Sequence, residues 1–233
     1  MAAANIWQGP SGGDTPELVA TDSTGGNGHR TVYNLETSSG SSIPAFMAGT
    51  RLATEDGEIA VEDAVPGTRL RLADGRIAEV CWLGWREIWT RFADPLRAFP
   101  IRILAGALAD GMPARDLRVS PGHAIFLDGL LVQASALVNG VSIVRETDMP
   151  ESFRYYHVEL ATHELLLAES CPAESFADNI DRMNFHNWDQ RETPTEPVVE
   201  MELPCAKLAR QLPAALCNVL AARAEAFASH HAA

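Results

Sequence analysis

Ser120 and His123, three residues apart in VSPGHAIFLDG, form the first pair in this chain whose types and spacing could do chemistry. A Ser-x-x-His turn can aim a hydroxyl and an imidazole at one carbonyl or one leaving nitrogen, which is what acyl transfer requires. The pair alone is a weak signal, because a lone histidine after a strand and a Pro-Gly turn more often belongs to a core. Two further histidines, His157 and His163, lie six apart in YYHVELATHELLLAES. If Tyr155 to Leu160 is a strand, alternation puts His157 on the face of Tyr155 and Glu159, opposite Tyr156 and Val158. His163 then follows a kink expected at Ala161-Thr162. No third ligand at zinc-like spacing joins these histidines, so neither a metal nor any other cofactor is expected. His186-Asn187 in FHNW invites a cleavage reading, but its polar surroundings predict a surface position.

The elements that must position these residues are short. From residue 43 onward, β-like runs alternate with turn signals: Asp56-Gly57, Asp74-Gly75 and Asp128-Gly129 are hairpin pairs, and Pro66-Gly67 is a further turn. Many strands, tight turns and hardly any helical periodicity predict an all-β domain over residues 43–178. Residues 1–42, with SGG, TGGNGH and SSGSS, read as a flexible leader with one short strand at HRTVYNLE. Residues 179–202 read as a polar linker. Over 203–233, Leu208, Leu216, Val219, Leu220, Arg223 and Phe227 recur at helical spacing, with Pro213 tolerable in a first turn. Such a helix should dock on the β domain or mediate self-association or a protein partnership. Trp82, Trp85 and Trp89 read as core and edge aromatics, and the acidic residues are too scattered to propose a carboxylate pair.

Composition narrows the function. The 233 residues are 46% hydrophobic, enough for a sizeable core, and their net charge of −13 argues against nucleic acid and anionic membrane surfaces as partners. No stretch is apolar and long enough to span a bilayer. The N-terminus lacks the basic start and apolar run of a secretory signal, and Cys81, Cys171, Cys205 and Cys217 show no Cys-x-x-Cys spacing. Reduced, mostly buried thiols and a cytoplasmic location are the expectation.

The blocks AFMAGTRLATEDGEIAVEDAVPGTRL, PIRILAGALADGMPARDLRVSPGHAIFLDGLLVQASALVNG and YYHVELATHELLLAESCPAESF, in that order, resemble the bacterial Hint domain of the Hedgehog/intein superfamily. The likeness spans about residues 43–178 and continues weakly through PCAKL and LAARA. It implies a horseshoe-like, pseudo-twofold β fold whose two ends meet at the start of the domain. There the family has a nucleophilic cysteine in the motif Cys-Phe-x-x-Gly-Thr. Phe46, Gly49 and Thr50 match that motif, and Ala45 occupies the cysteine's place.

By this resemblance the thiol would attack the carbonyl of Pro44, turning the amide into a thioester by an N-to-S acyl shift. Water or a small nucleophile would then release the leader, the chain's own N-terminal flank being the substrate. His123 is implied as proton donor to the leaving nitrogen, Ser120 as a hydrogen-bonding partner of the scissile peptide, His157 as an assistant to the first step, and His163 as the downstream histidine of its block. Ala45 has no nucleophile, so the chain as written should be inert. The intact surroundings of Ala45 favour a cysteine replacement that leaves an uncleaved precursor over gradual decay of the site. His186-Asn187 is followed by Trp188, where splicing needs Cys, Ser or Thr, and the VCWLGW region lacks the Asp used for sterol transfer. A non-catalytic Hint-fold binding or scaffold module is the rival expectation. An ordinary trans-acting Ser-His hydrolase has little support, with no visible acidic partner and no Gly-x-Ser-x-Gly elbow.

Overall fold

The structure is a computed structural model that describes residues 18–19, 32–33, 43–176, 185–191, 198 and 201–231. The chain divides into two compact units, Met1–Ser41 and Ser42–Ala233. In the first, β1 (Leu18–Val19) pairs antiparallel with β2 (Val32–Tyr33); β2 falls in HRTVYNLE, where a short strand is expected, and β1 is a second strand beyond that expectation. The expected flexibility of the leader concerns residues outside those described.

The second unit opens with β3 (Phe46–Met47), β4 (Arg51–Ala53), β5 (Glu58–Ala60), β6 (Arg69–Arg71) and the long β7 (Ile77–Trp89). A short helix α1 (Pro95–Ala98) leads to β8 (Ile101–Ile103), β9 (Leu117–Val119), β10 (Ala124–Leu127), β11 (Leu130–Gln133) and β12 (Ile143–Arg145). Next come β13 (Ser152–Leu160), β14 (Leu165–Ala168), β15 (Cys171–Glu174), β16 (Cys205–Ala206) and the helix α2 (Ala214–His231). The all-β expectation therefore holds. The strands form two seven-stranded sheets, ordered β16-β11-β10-β15-β14-β4-β5 and β12-β8-β9-β3-β13-β7-β6. The three Asp-Gly pairs lie in the β4–β5, β6–β7 and β10–β11 hairpins.

Three features of the second sheet determine where functional groups fall. Strand β3 lies between β9 and β13, with Phe46 opposite Val119 on one side and Tyr156 on the other. Strand β13 runs alongside β7 for most of its length, and His157 faces Gly84. At Gly84 the Trp82 ring lies so close that an added Cβ would approach it to 2.3 Å, so only glycine lets the indole fold over this point. Apolar side chains of both sheets, among them Phe46, Leu52, Ile101, Val119, Ile125, Val158 and Leu166, make one buried cluster.

Helix α2 docks on the β domain through Leu216 and Leu220, whose burial stabilises the contact by about 1.5–3 kcal/mol each. Arg223 fixes its rotation by donating to the Gly106 carbonyl at 3.0 Å and to the Asp110 carboxylate at 2.6 Å. The helical segment is shorter than expected. Residues 203–213 are not α-helical, because Cys205–Ala206 joins the first sheet parallel to β11 and Pro213 precedes the first helical turn. Leu208, outside the helix, and Val219, on its outer face, are exposed.

Two other expectations are overturned. Cys171 is buried, but Cys81, Cys205 and Cys217 are exposed, since each falls on an outward position of a strand or helix. Within the expected polar linker, residues 185–191 pack against the domain: Phe185, Asn187 and Arg191 are buried. The polar atoms of Asn187 satisfy the main chain of β7, accepting from Trp85 N–H at 3.0 Å and donating to the Leu83 carbonyl at 2.9 Å. His186 is exposed, as expected, and stacks on Trp85 with ring centroids 4.7 Å apart.

Candidate active site at the Pro44–Ala45 peptide bond

Antiparallel register extends one residue beyond β3, so Ala45 meets Ser120 on the β9 side and His157 on the β13 side. Ser120 N–H donates to the Ala45 carbonyl at 2.9 Å, continuing the ladder. The Ser120 hydroxyl accepts from Ala45 N–H at 3.1 Å and donates to the Ile43 carbonyl at 2.7 Å, bracketing the peptide that joins Pro44 to Ala45. Opposite, His157 Nδ1 lies 2.6 Å from the Pro44 carbonyl oxygen. A carbonyl can only accept, so Nδ1 carries the proton and Nε2 is bare.

His157 is held in that state by its surroundings. It is 2% exposed and packed edge-on against Phe185 and Phe176, with ring centroids 4.7 and 5.9 Å away. Trp82 closes the same aromatic cage from the far side. Burial pushes the ring's pKa down to about 3, against the favourable contact with Pro44, while His123 and Arg86 push in the same direction as burial. His157 is thus a neutral donor aimed at the carbonyl oxygen of the Pro44–Ala45 peptide bond.

His123 comes from the turn that carries the chain from β9 to β10, closed by His123 N–H donating to the Ser120 carbonyl at 3.1 Å. Its ring is 1% exposed and lies 4.3 Å from the Phe46 ring, centroid to centroid. Nε2 lies 3.1 Å from the Glu174 carbonyl, to which it can only donate, and Nδ1 is buried without a hydrogen bond. Burial lowers the pKa of His123, opposed by the Glu174 charge and by the main chain of Ala45 and Glu174; His163 acts with burial. Ala45 therefore lies near enough to act on the ring, though outside hydrogen-bonding geometry.

Gly49 and Thr50 do not touch the bond. Gly49 has φ +86°, a left-handed conformation that favours glycine, and its N–H donates to both Glu62 carboxylate oxygens at 2.9 and 2.7 Å. Thr50 donates from Oγ1 to the Met47 carbonyl at 2.8 Å. The pair makes the turn that leads the chain out of β3 and fixes where residue 45 sits.

The Hint domain family matches residues 44–179, more than half of the chain. The chain belongs to the Hint domain family. Among solved structures it is similar to the MchDnaB-1 intein (N145AA), at 16% identity and TM-score 0.39, covering 57% of this chain and 100% of that one. It is also similar to the bacterial intein-like domain from Clostridium thermocellum, at 18% identity and TM-score 0.37, covering 56% and 97%. No curated protein matches.

Within this Hint domain, His163 lies apart from Pro44 and Ala45. Its Nδ1 accepts from Met201 N–H at 3.1 Å and its Nε2 lies 3.5 Å from a Glu174 carboxylate oxygen. β10–β15 pairing brings Glu174 to both histidines, its main-chain carbonyl to His123 and its carboxylate to His163. Behind the aromatic cage Arg191 and Glu159 form a buried ion pair that no local sequence pattern announces. Among the described residues no group of three His, Cys, Asp or Glu could hold a metal ion. No helix among them is long and apolar enough to cross a membrane.

Proposed function

We propose that this Hint domain is built to cut its own chain between Pro44 and residue 45, and that alanine at position 45 keeps the present chain uncut. With cysteine there, the thiol gives up its proton to water, the sulfur attacks the Pro44 carbonyl carbon and the carbonyl electrons move to oxygen, where the His157 Nδ1–H awaits them. The carbon–nitrogen bond then breaks, its electron pair stays on the nitrogen of residue 45, and His123 supplies the proton that makes it a leaving amine. Ser120 holds that nitrogen in place. Water, or an added small nucleophile, then displaces sulfur from the thioester and releases a leader ending at Pro44.

One observation carries this reading: the carbonyl and the N–H of a single peptide bond are gripped by His157 at 2.6 Å and Ser120 at 3.1 Å. The test is the intact mass of an Ala45→Cys protein with and without dithiothreitol or hydroxylamine. A fragment ending at Pro44 should appear, faster with either reagent, while the chain with Ala45 stays full length in both. The hindered proline acyl group makes the step slow, so incubation should extend over days. A folded Ala45→Cys protein that stays whole would sink the proposal. The alanine itself favours the second reading, a Hint-fold scaffold without catalysis, and that outcome would establish it.

A further inference from the structure

We infer that Glu174 is a positioning residue of this site: its carbonyl sets the tautomer of His123, and its carboxylate provides the negative charge that lets His123 hold a second proton. The inference rests on the cleavage reading above for its meaning, though not for its test.

To hand a proton to the leaving nitrogen, His123 must carry it beforehand on the ring nitrogen that is not committed elsewhere. Donation from Nε2 to the Glu174 carbonyl at 3.1 Å leaves Nδ1, buried and unbonded, as the only place for it. Burial opposes charging the ring, and the strongest opposing influence is the Glu174 carboxylate. The other titratable groups acting on the His123 environment, His163 and His157, are imidazoles whose charging would work against it.

The carboxylate is itself held in place. One oxygen accepts from Ala124 N–H at 2.7 Å, and the other lies 3.5 Å from His163 Nε2. Because His163 Nδ1 accepts from Met201 N–H, the neutral ring carries its hydrogen on Nε2, toward Glu174. His163 thus acts on the scissile bond through Glu174 and His123, without approaching it. The main-chain carbonyl of Glu174 and its side chain serve one ring by two separate routes.

Glu174→Gln separates them, since it keeps an acceptor for Ala124 N–H and the main-chain carbonyl but removes the charge. Ring-resolved NMR titration of the chain as it stands, with Ala45, needs no cleavage. In Glu174→Gln the His123 tautomer should persist while its titration midpoint moves to lower pH by about one unit. In the Ala45→Cys background the same change should slow cleavage about tenfold near neutral pH and progressively less toward acid, because the protonated fraction falls tenfold per pH unit above the midpoint. A structural defect alone would slow cleavage equally at every pH. Should Glu174→Gln fail to fold, Glu174→Asp, which draws the charge back by one methylene, must by itself lower the midpoint. Superimposable His123 titrations in parent and variant, including the case in which neither ring takes up a proton while folded, overturn the inference. A shifted titration in a protein whose Ala45→Cys form stays whole would instead uphold Glu174 and refute cleavage.

Discussion

Keeping His157 neutral inside the aromatic cage has a cost that grows as the pH falls. In an unfolded chain the imidazole takes up a proton near its ordinary pKa of 6.5, whereas the folded ring does so only near 3. Between these values the unfolded state binds the extra proton, so stability is complete above about pH 6.5 and is lost as pH falls through that window. A gap of about 3.5 pH units at ~1.4 kcal/mol per unit puts the full loss near 5 kcal/mol, comparable to the whole stability of many domains. By pH ~5 about 2 kcal/mol should already be gone. The perturbation that isolates this effect is His157→Asn, whose amide can still donate to the Pro44 carbonyl but does not titrate. Its smaller side chain leaves a gap against Phe176 and Phe185, so it should be less stable than the parent at pH ~7.5 by about 1–3 kcal/mol. Urea unfolding of both proteins from pH ~7.5 to ~4.5 then gives two curves that converge in acid, because carboxylates and His123 titrate in both and cancel in the difference. Parallel curves would refute the reasoning, showing that His157 is not the buried neutral donor described.

The other predictions concern the neighbouring residues. In the Ala45→Cys background, His123→Ala should slow cleavage by roughly 10²–10⁴-fold, measured by intact mass against time, with melting temperature followed alongside to separate lost chemistry from lost fold. Asn187→Ala should cost about 1–3 kcal/mol in urea unfolding, because it leaves the Trp85 N–H and Leu83 carbonyl unpaired. His186→Ala, losing an exposed ring stacked on Trp85 and a 3.4 Å hydrogen bond from Glu87 N–H to Nδ1, should cost clearly less.

What could be read from the residues alone was whatever a local pattern encodes. Asp-Gly pairs name their hairpins, alternation along Tyr155–Leu160 places His157, and Ser120-x-x-His123 announces its own turn. Glu174 was invisible because its role depends on register: Ala173 faces Ile125 across β10 and β15, and that pairing delivers the Glu174 carbonyl to a histidine 51 residues away. Phe185, Asn187 and Arg191 were misjudged for a related reason. Their neighbours are polar, and only the exposed edge of β7, with its unpaired Trp85 N–H, makes burying an asparagine favourable. In α2 the spacing places Leu216 and Leu220 on the buried face, but Val219 is exposed and Leu208 lies before the helix, since nothing in a 3.6-residue period shows that Cys205–Ala206 prefers a strand partner.

Burial places contradictory demands on this site, and the contradiction explains its layout. The side-chain position of residue 45 is 1% exposed and faces Phe99, Phe153 and Tyr155. A thiol placed there would resemble Cys171, whose burial pushes its pKa up to about 12, and would resist becoming the thiolate that attacks. The same exclusion of water favours His157, which works as a neutral donor, yet opposes His123, which must arrive charged. Three groups within one fold thus need three different responses to one environment. His157 needs no help beyond its apolar cage, and His123 has Glu174 beside it. Residue 45 has no charged partner among Phe99, Phe153 and Tyr155, so in a cysteine-bearing chain the uphill loss of the thiol proton would add to the barrier that His123 lowers at the departure of the amine.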